Sequence, residues 1–175
     1  MADSMRIIGI DPGSHRVGFA ILSFPESNRS KPELLTYGTI EVPPKTPSPD
    51  NLLQIKSELD AILDEYNPDF GSVEELFFLK NVTTGMRVSE SRGVILLSLG
   101  EHKIPAVQPT ATQIKKGISA NGSATKKEIR QAIKIILGFK DLKGHDDSWD
   151  AIAAAFVGKS LIQGLVQVKR KSSNT

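Results

Sequence analysis

Residues 7–22 read IIGIDPGSHRVGFAIL. Two apolar runs, Met5–Ile10 and Val17–Phe24, flank the turn sequence Asp11-Pro12-Gly13-Ser14. Short β-branched runs bounded by turn residues read as buried strands. A third run, Leu34–Val42, follows a short polar link, and the three together predict an antiparallel meander. Downstream the periodicity changes. Asp50 is a plausible N-cap for a helix to about Tyr66, whose apolar stripe includes Leu52, Ile55, Leu59, Ile62 and Leu63. Asn67-Pro68 ends it. Phe70–Phe78 reads as a fourth strand, residues 81–99 as a helix interrupted by Gly85 and Gly93, and Ile104–Val107 as a short fifth strand. Further helices are expected from about Thr110 to Ile118, from the capping box at Thr125-Lys126-Lys127-Glu128 to Gly138, and from Asp147 to Gly164.

This order predicts an α/β domain, a mixed five-stranded sheet with helices on both faces. The fourth strand, reached through a helical crossover, should lie parallel beside the first. The C-terminal ends of those two strands then meet. One domain is expected over residues 1–168, with a flexible basic tail at 169–175.

The chain has 175 residues, enough to bury a core without staples. It has no cysteine, which excludes disulfide frameworks, thiol nucleophiles and cysteine-ligated zinc. No apolar run approaches the ~20 residues of a membrane span, and Asp3 ahead of a strand predicts no signal peptide. The net charge of +2 is unevenly spread. Residues 1–100 hold nine Lys/Arg against fourteen Asp/Glu, and residues 101–175 hold thirteen against six. An acidic half joined to a basic half suggests polyanion binding beside an acidic site.

Four acids stand where the predicted elements converge. Asp11 ends the first strand, Glu74 lies in the fourth, and Asp147 and Asp150 share a face of the last helix at i and i+3. Acids gathered in this way suit a hard divalent cation. Each also has a plain explanation: Asp11 as a turn former, Asp147 as a helix cap, Glu74 as one of two neighbouring strand acids. His145, Asp146 and Asp147 all compete for the third position, with the i, i+3 spacing favouring Asp147. Residues 115–134 carry six basic side chains against Glu128 alone, either a phosphate-binding surface or a solvated helix face. Phe77 and Phe78 leave the fourth strand near the acids. Strand alternation sends one of them to the core and leaves the other available for stacking on a base.

The segments IIGIDPGSHRVGFAIL (7–22), VEELFFLKN (73–81), SRGV (91–94) and DDSWDAIAAA (146–155) together resemble the RuvC-type Holliday-junction resolvases. The order and spacing match over nearly the whole chain. The resemblance implies a ribonuclease-H-like fold and a crossover junction endodeoxyribonuclease that cuts four-way DNA junctions by paired, symmetric phosphodiester hydrolysis. It implies Asp11, Glu74, Asp147 and Asp150 as catalytic metal ligands, two Mg²⁺ per site with Mn²⁺ able to substitute, and DNA contacts from Phe77, Lys80, Lys115 and Lys126. It further implies a homodimer working with a RuvA–RuvB branch-migration complex in a bacterial cytoplasm. Competing readings are a YqgF-type nuclease acting on RNA and a non-catalytic junction-binding module. An actin-like ATPase is suggested by GIDPG but would need a second lobe.

Overall fold

The computed structural model describes residues 4–26, 30–76, 82–138 and 145–172, with side chains placed as far as residue 165 and from residue 85 in the third segment. Strand β1 (Ser4–Asp11) pairs antiparallel with β2 (Arg16–Pro25), and β2 pairs antiparallel with β3 (Glu33–Glu41). Strand β4 (Phe70–Val73) lies parallel to β1, with Val73 beside Ile10, and β5 (Ala106–Val107) lies parallel to β4. The sheet order is β3-β2-β1-β4-β5, the mixed five-stranded sheet expected.

Strand alternation divides the core in two. Ile8, Ile10, Val17 and Ile21 pack with helices α1 (Asp50–Tyr66) and α2 (Val82–Glu101) through Ile55, Leu59, Ile95 and Leu99. On the opposite face, Ile7, Ala20, Leu22 and Phe24 meet α3 (Ala111–Ser119), α4 (Lys126–Leu137) and α5 (Asp146–Ser172). No helix among the described residues is long and apolar enough to cross a membrane.

Helix α5 lies directly on the strands. A Cβ at Gly9 would stand 2.1 Å from the Ala151 carbonyl oxygen and 2.4 Å from the Ala155 nitrogen. A Cβ at Gly18 would stand 2.1 Å from the Asp147 carbonyl oxygen. The helix answers with the run Ala151-Ile152-Ala153-Ala154-Ala155, fully or almost fully buried. Its depth is set by two side-chain bonds. The Ser72 hydroxyl donates to the Ala154 carbonyl (2.7 Å), and the Ser148 hydroxyl donates to the Gly38 carbonyl (3.0 Å). Small residues on both surfaces thus hold the start of α5 over the end of β1.

Several boundaries depart from the sequence expectation. Strand β4 ends at Val73 rather than Phe78, because its partner β1 turns away at Pro12. The Glu74 N–H still donates to the Ile10 carbonyl (3.1 Å), but the Glu75 N–H bonds the Pro109 carbonyl instead (2.9 Å). Helix α2 passes through Gly93 to Glu101 without interruption. A helical glycine costs only ~0.5–1 kcal/mol, which the burial of Ile95 and Leu99 outweighs. Pro49, not Asp50, holds the N-cap position of α1, and Asp50 sits in the first turn, where it complements the helix dipole. Helix α5 continues beyond Gly164 to Ser172. The Thr125–Glu128 capping box and the Gly138 stop of α4 form as expected, and Thr110 with Gln113 forms a second capping box at α3.

Candidate active site

Parallel pairing of β1 and β4 puts Asp11 and Glu74 at adjacent strand ends. The first two turns of α5 pass over them carrying Asp147 and Asp150. A cavity of about 350 Å³ is lined by Asp11, Glu74 and Asp150, by Lys115 of α3 and Lys126 of α4, and by the apolar Ile114, Ile129 and Ala153. Asp147 borders the next depression, with Arg16 and Glu41. The topology thus gathers acids from three places in the chain and the two lysines from two more.

The electrostatics record this crowding. Burial pushes the Asp11 carboxyl up from 3.8 to about 8, helped by Glu74, then Asp150 and Asp147, and opposed by Lys126. Glu74 is raised for the same reasons, burial first and Asp150 second, with Lys126 and Lys115 opposing. The Lys126 ammonium donates to Asp150 Oδ2 at 2.9 Å, and that bond holds the lysine above its ordinary value. Arg16 Nε stands 3.7 Å from Asp147 Oδ2. Two carboxylates are therefore turned towards cations, and among the described residues no three acids are drawn together at ligand spacing.

The donor set nevertheless fits a hard divalent cation. All four candidate ligands offer carboxylate oxygen, with no sulfur among them. One cationic side chain does not offset the repulsion felt by Asp11, so a divalent ion among these acids gains more than it would at an exposed cluster. The neighbours that competed in the sequence point elsewhere. Asp146 pairs with Arg130, and His145 Nε2 lies 2.8 Å from Glu41 Oε1. Phe77 and Lys80 lie outside the described residues.

Sequence reasoning passed over three side chains that shape the site. Arg16 follows the β1–β2 turn and faces Asp147. Ser148 lies buried between two acids and anchors α5 to β3. Arg92 reaches from α2 to the Glu74 peptide. Each stands in one of the quoted segments, Arg16 in 7–22, Ser148 in 146–155 and Arg92 in 91–94, but nothing local in those segments marks its partner.

Residues 7–158 match the family model described as crossover junction endodeoxyribonuclease RuvC. A curated relative of that name from Alkaliphilus oremlandii is 41% identical over 151 residues, covering 86% of this chain and 90% of its own. Another from Syntrophomonas wolfei is 38% identical over 151 residues, covering 86% of each chain. Among solved structures, Thermus thermophilus RuvC superposes with a TM-score of 0.83 at 24% identity, covering 91% of this chain and 96% of that one. The same protein in complex with a Holliday junction substrate superposes at 0.80 and 23% identity, with the same coverage. At these identities the superpositions establish a common fold.

Proposed function

This chain belongs to the RuvC family of crossover junction endodeoxyribonucleases, and we propose that it resolves four-way DNA junctions by metal-dependent hydrolysis at the four-acid site. The observation that carries the reading is the convergence of Asp11, Glu74 and Asp150 in one cavity with Lys115 and Lys126. Carboxylates buried against each other are costly, perturbed acids of this kind gather at functional sites, and the lysines beside them suit a phosphate.

Asp11, Glu74, Asp147 and Asp150 would hold the cations, two Mg²⁺ or Mn²⁺ ions per site. Such ions activate the attacking water and stabilise the leaving oxygen of a phosphodiester. Lys115 and Lys126 hold the flanking phosphates and offset charge that develops on the scissile one. Asp11 and Glu74 stand at the ends of paired strands. Asp147 and Asp150 ride on α5. Cleavage leaves a 3′-hydroxyl and a 5′-phosphate. Phe77 stacks on an unpaired base at the junction centre, and Lys80 contacts the backbone beside it. The test is a mobile four-way junction, a linear duplex and an RNA–DNA hybrid, each with and without Mg²⁺. Metal-dependent paired cutting of the junction alone supports the reading. Preference for the hybrid moves the chain to RNA substrates, and binding without cutting makes it a junction-binding module.

The lysines give a separate expectation. Lys115→Ala and Lys126→Ala should each lower the slope of log affinity against log salt by about one unit for every phosphate that is no longer neutralised. An unchanged slope in both would make them ordinary surface charges.

Two symmetric cuts call for two sites, and we assign them to a homodimer. Helix α2 supplies the face. Met86 and Leu97 are 62% and 55% exposed, and they fall on one stripe with Gly93 and Gly100, both open to solvent. Ser91, by contrast, is fully buried, and the apolar end of the helix divides, with Ile95 and Leu99 in the core. Leu97→Glu should therefore yield monomers by light scattering, with the fold retained and paired cuts lost. A dimer that survives Leu97→Glu places the interface elsewhere. A bacterial cytoplasm and a RuvA–RuvB partner complete the proposal.

A further inference from the structure

Glu74 sits just past the end of β4, where a single main-chain bond still ties the chain to the sheet. Its own N–H is taken by Ile10 and the next N–H by Pro109. The remaining backbone group of the residue, the Glu74 carbonyl, accepts from Arg92 Nε at 3.2 Å. The same guanidinium donates through Nη2 to the Gln108 side-chain oxygen. Gln108 follows β5 directly and precedes Pro109, the residue that receives the Glu75 N–H. One planar group from α2 therefore joins the segment carrying Glu74 to the connection that leads into α3 and Lys115.

We propose that Arg92 is a positioning residue for the reaction, fixing the Glu74 peptide so that its carboxylate meets the metal in one orientation. The assignment rests on the reading of the four acids as a metal-dependent nuclease centre. A guanidinium suits the task because its donors lie in a fixed plane and can serve two acceptors at once. A lysine ammonium keeps the charge but loses that fork. The Arg92 guanidinium is bonded to the Glu74 carbonyl and the Gln108 side chain. It acts through the main chain of Glu74, and Gln108 acts through Arg92.

The experiment compares full-length wild type, Arg92→Lys and Gln108→Ala. Three quantities are read: the Mn²⁺ concentration at the midpoint of metal-induced thermal stabilisation without DNA, the junction Kd without metal, and the single-turnover cutting rate against Mg²⁺. In Arg92→Lys the metal midpoint should rise ~10–100-fold, the usual consequence of losing a group that orients a ligand. The cutting rate at low Mg²⁺ should fall in proportion and recover at high Mg²⁺, while junction Kd stays within about twofold of wild type. Gln108→Ala, at an exposed position, should shift the midpoint in the same direction by less. It decides the matter if Arg92→Lys does not fold. Unchanged metal midpoints in both variants of an active wild type overturn the role of Arg92 alone. A wild type that binds Mn²⁺ but cuts no junction overturns the functional reading, and the midpoints of the variants still test Arg92.

Discussion

Asp11→Asn should abolish junction cutting and yet, with metal chelated, melt above wild type at pH 9. The first half follows from geometry. Asp11 lines the acid cavity at the end of the strand beside Glu74, and Asp150, the acid facing it from α5, is already bonded to Lys126. Removing one charge-stabilising group from such a centre costs at least ~10²–10³ in rate. The second half follows from linkage. Burial and the surrounding acids hold Asp11 at about 8 when folded, against 3.8 ordinarily. Between those values the folded chain keeps a proton that the unfolded chain releases. The stability this group contributes is fully present below about pH 4 and is lost as pH rises through 8. Glu74, raised for the same cause, acts in the same direction. An amide at residue 11 has no proton to lose, so the variant should escape this decline. A gain of about 1–2 kcal/mol is expected, or ~2–8 °C for a chain of this size. Junction affinity without metal should hold or improve, because a negative charge near the phosphates is gone. Calorimetry from pH 5 to 9 in chelator decides it. Parallel declines for wild type and variant would mean that Asp11 ionises in the fold without strain, and the crowded-acid account of the site would fall.

Gly9→Ala should be one of the most damaging single-methyl changes in the sheet. The added Cβ would lie 2.1 Å and 2.4 Å from main-chain atoms of Ala151 and Ala155. Backbone cannot rotate aside as a long side chain can, so α5 must lift from β1. Overpacking ordinarily costs ~1–3 kcal/mol. Here the upper end or beyond is expected, because the shift also strains the Ser72–Ala154 and Ser148–Gly38 bonds. Lifting α5 carries Asp147 and Asp150 away from Asp11 and Glu74, so cutting should fall even where the protein remains folded. Gly164→Ala in the same helix meets nothing within 4 Å. It should be neutral or stabilising by up to ~1 kcal/mol. Denaturant unfolding of the two variants against wild type gives the comparison. Equal stabilities for Gly9→Ala and wild type would show that the helix does not rest on the strand as closely as described.

The order of elements and the four acids were legible in the chain because each depends on local signals. Alternating and continuous apolar runs mark strands, a 3.6-residue stripe marks α1, Thr125 with Glu128 marks the start of α4, and Asp-Pro-Gly marks the turn after β1. Right-handed crossover through α1 then places β4 beside β1, which is enough to bring Asp11 and Glu74 together. Tertiary structure decided what depends on partners distant in sequence. The length of β4 is set by where β1 turns away, not by the apolar residues that continue past Val73. The path of α2 through its glycines is set by what Ile95 and Leu99 bury. Gly9, Gly18 and Ser72 read locally as unremarkable strand residues, and they fix the depth of α5 only because Ala151–Ala155 arrives opposite them. The ionisation of Asp11 is likewise a property of the assembled site: in the sequence it is a turn aspartate, and it becomes reluctant to ionise only when burial, Glu74, Asp150 and Asp147 surround it. Arg92 was visible in the chain as part of a motif, but its acceptors, the carbonyl of residue 74 and the side chain of residue 108, are brought to it by the fold.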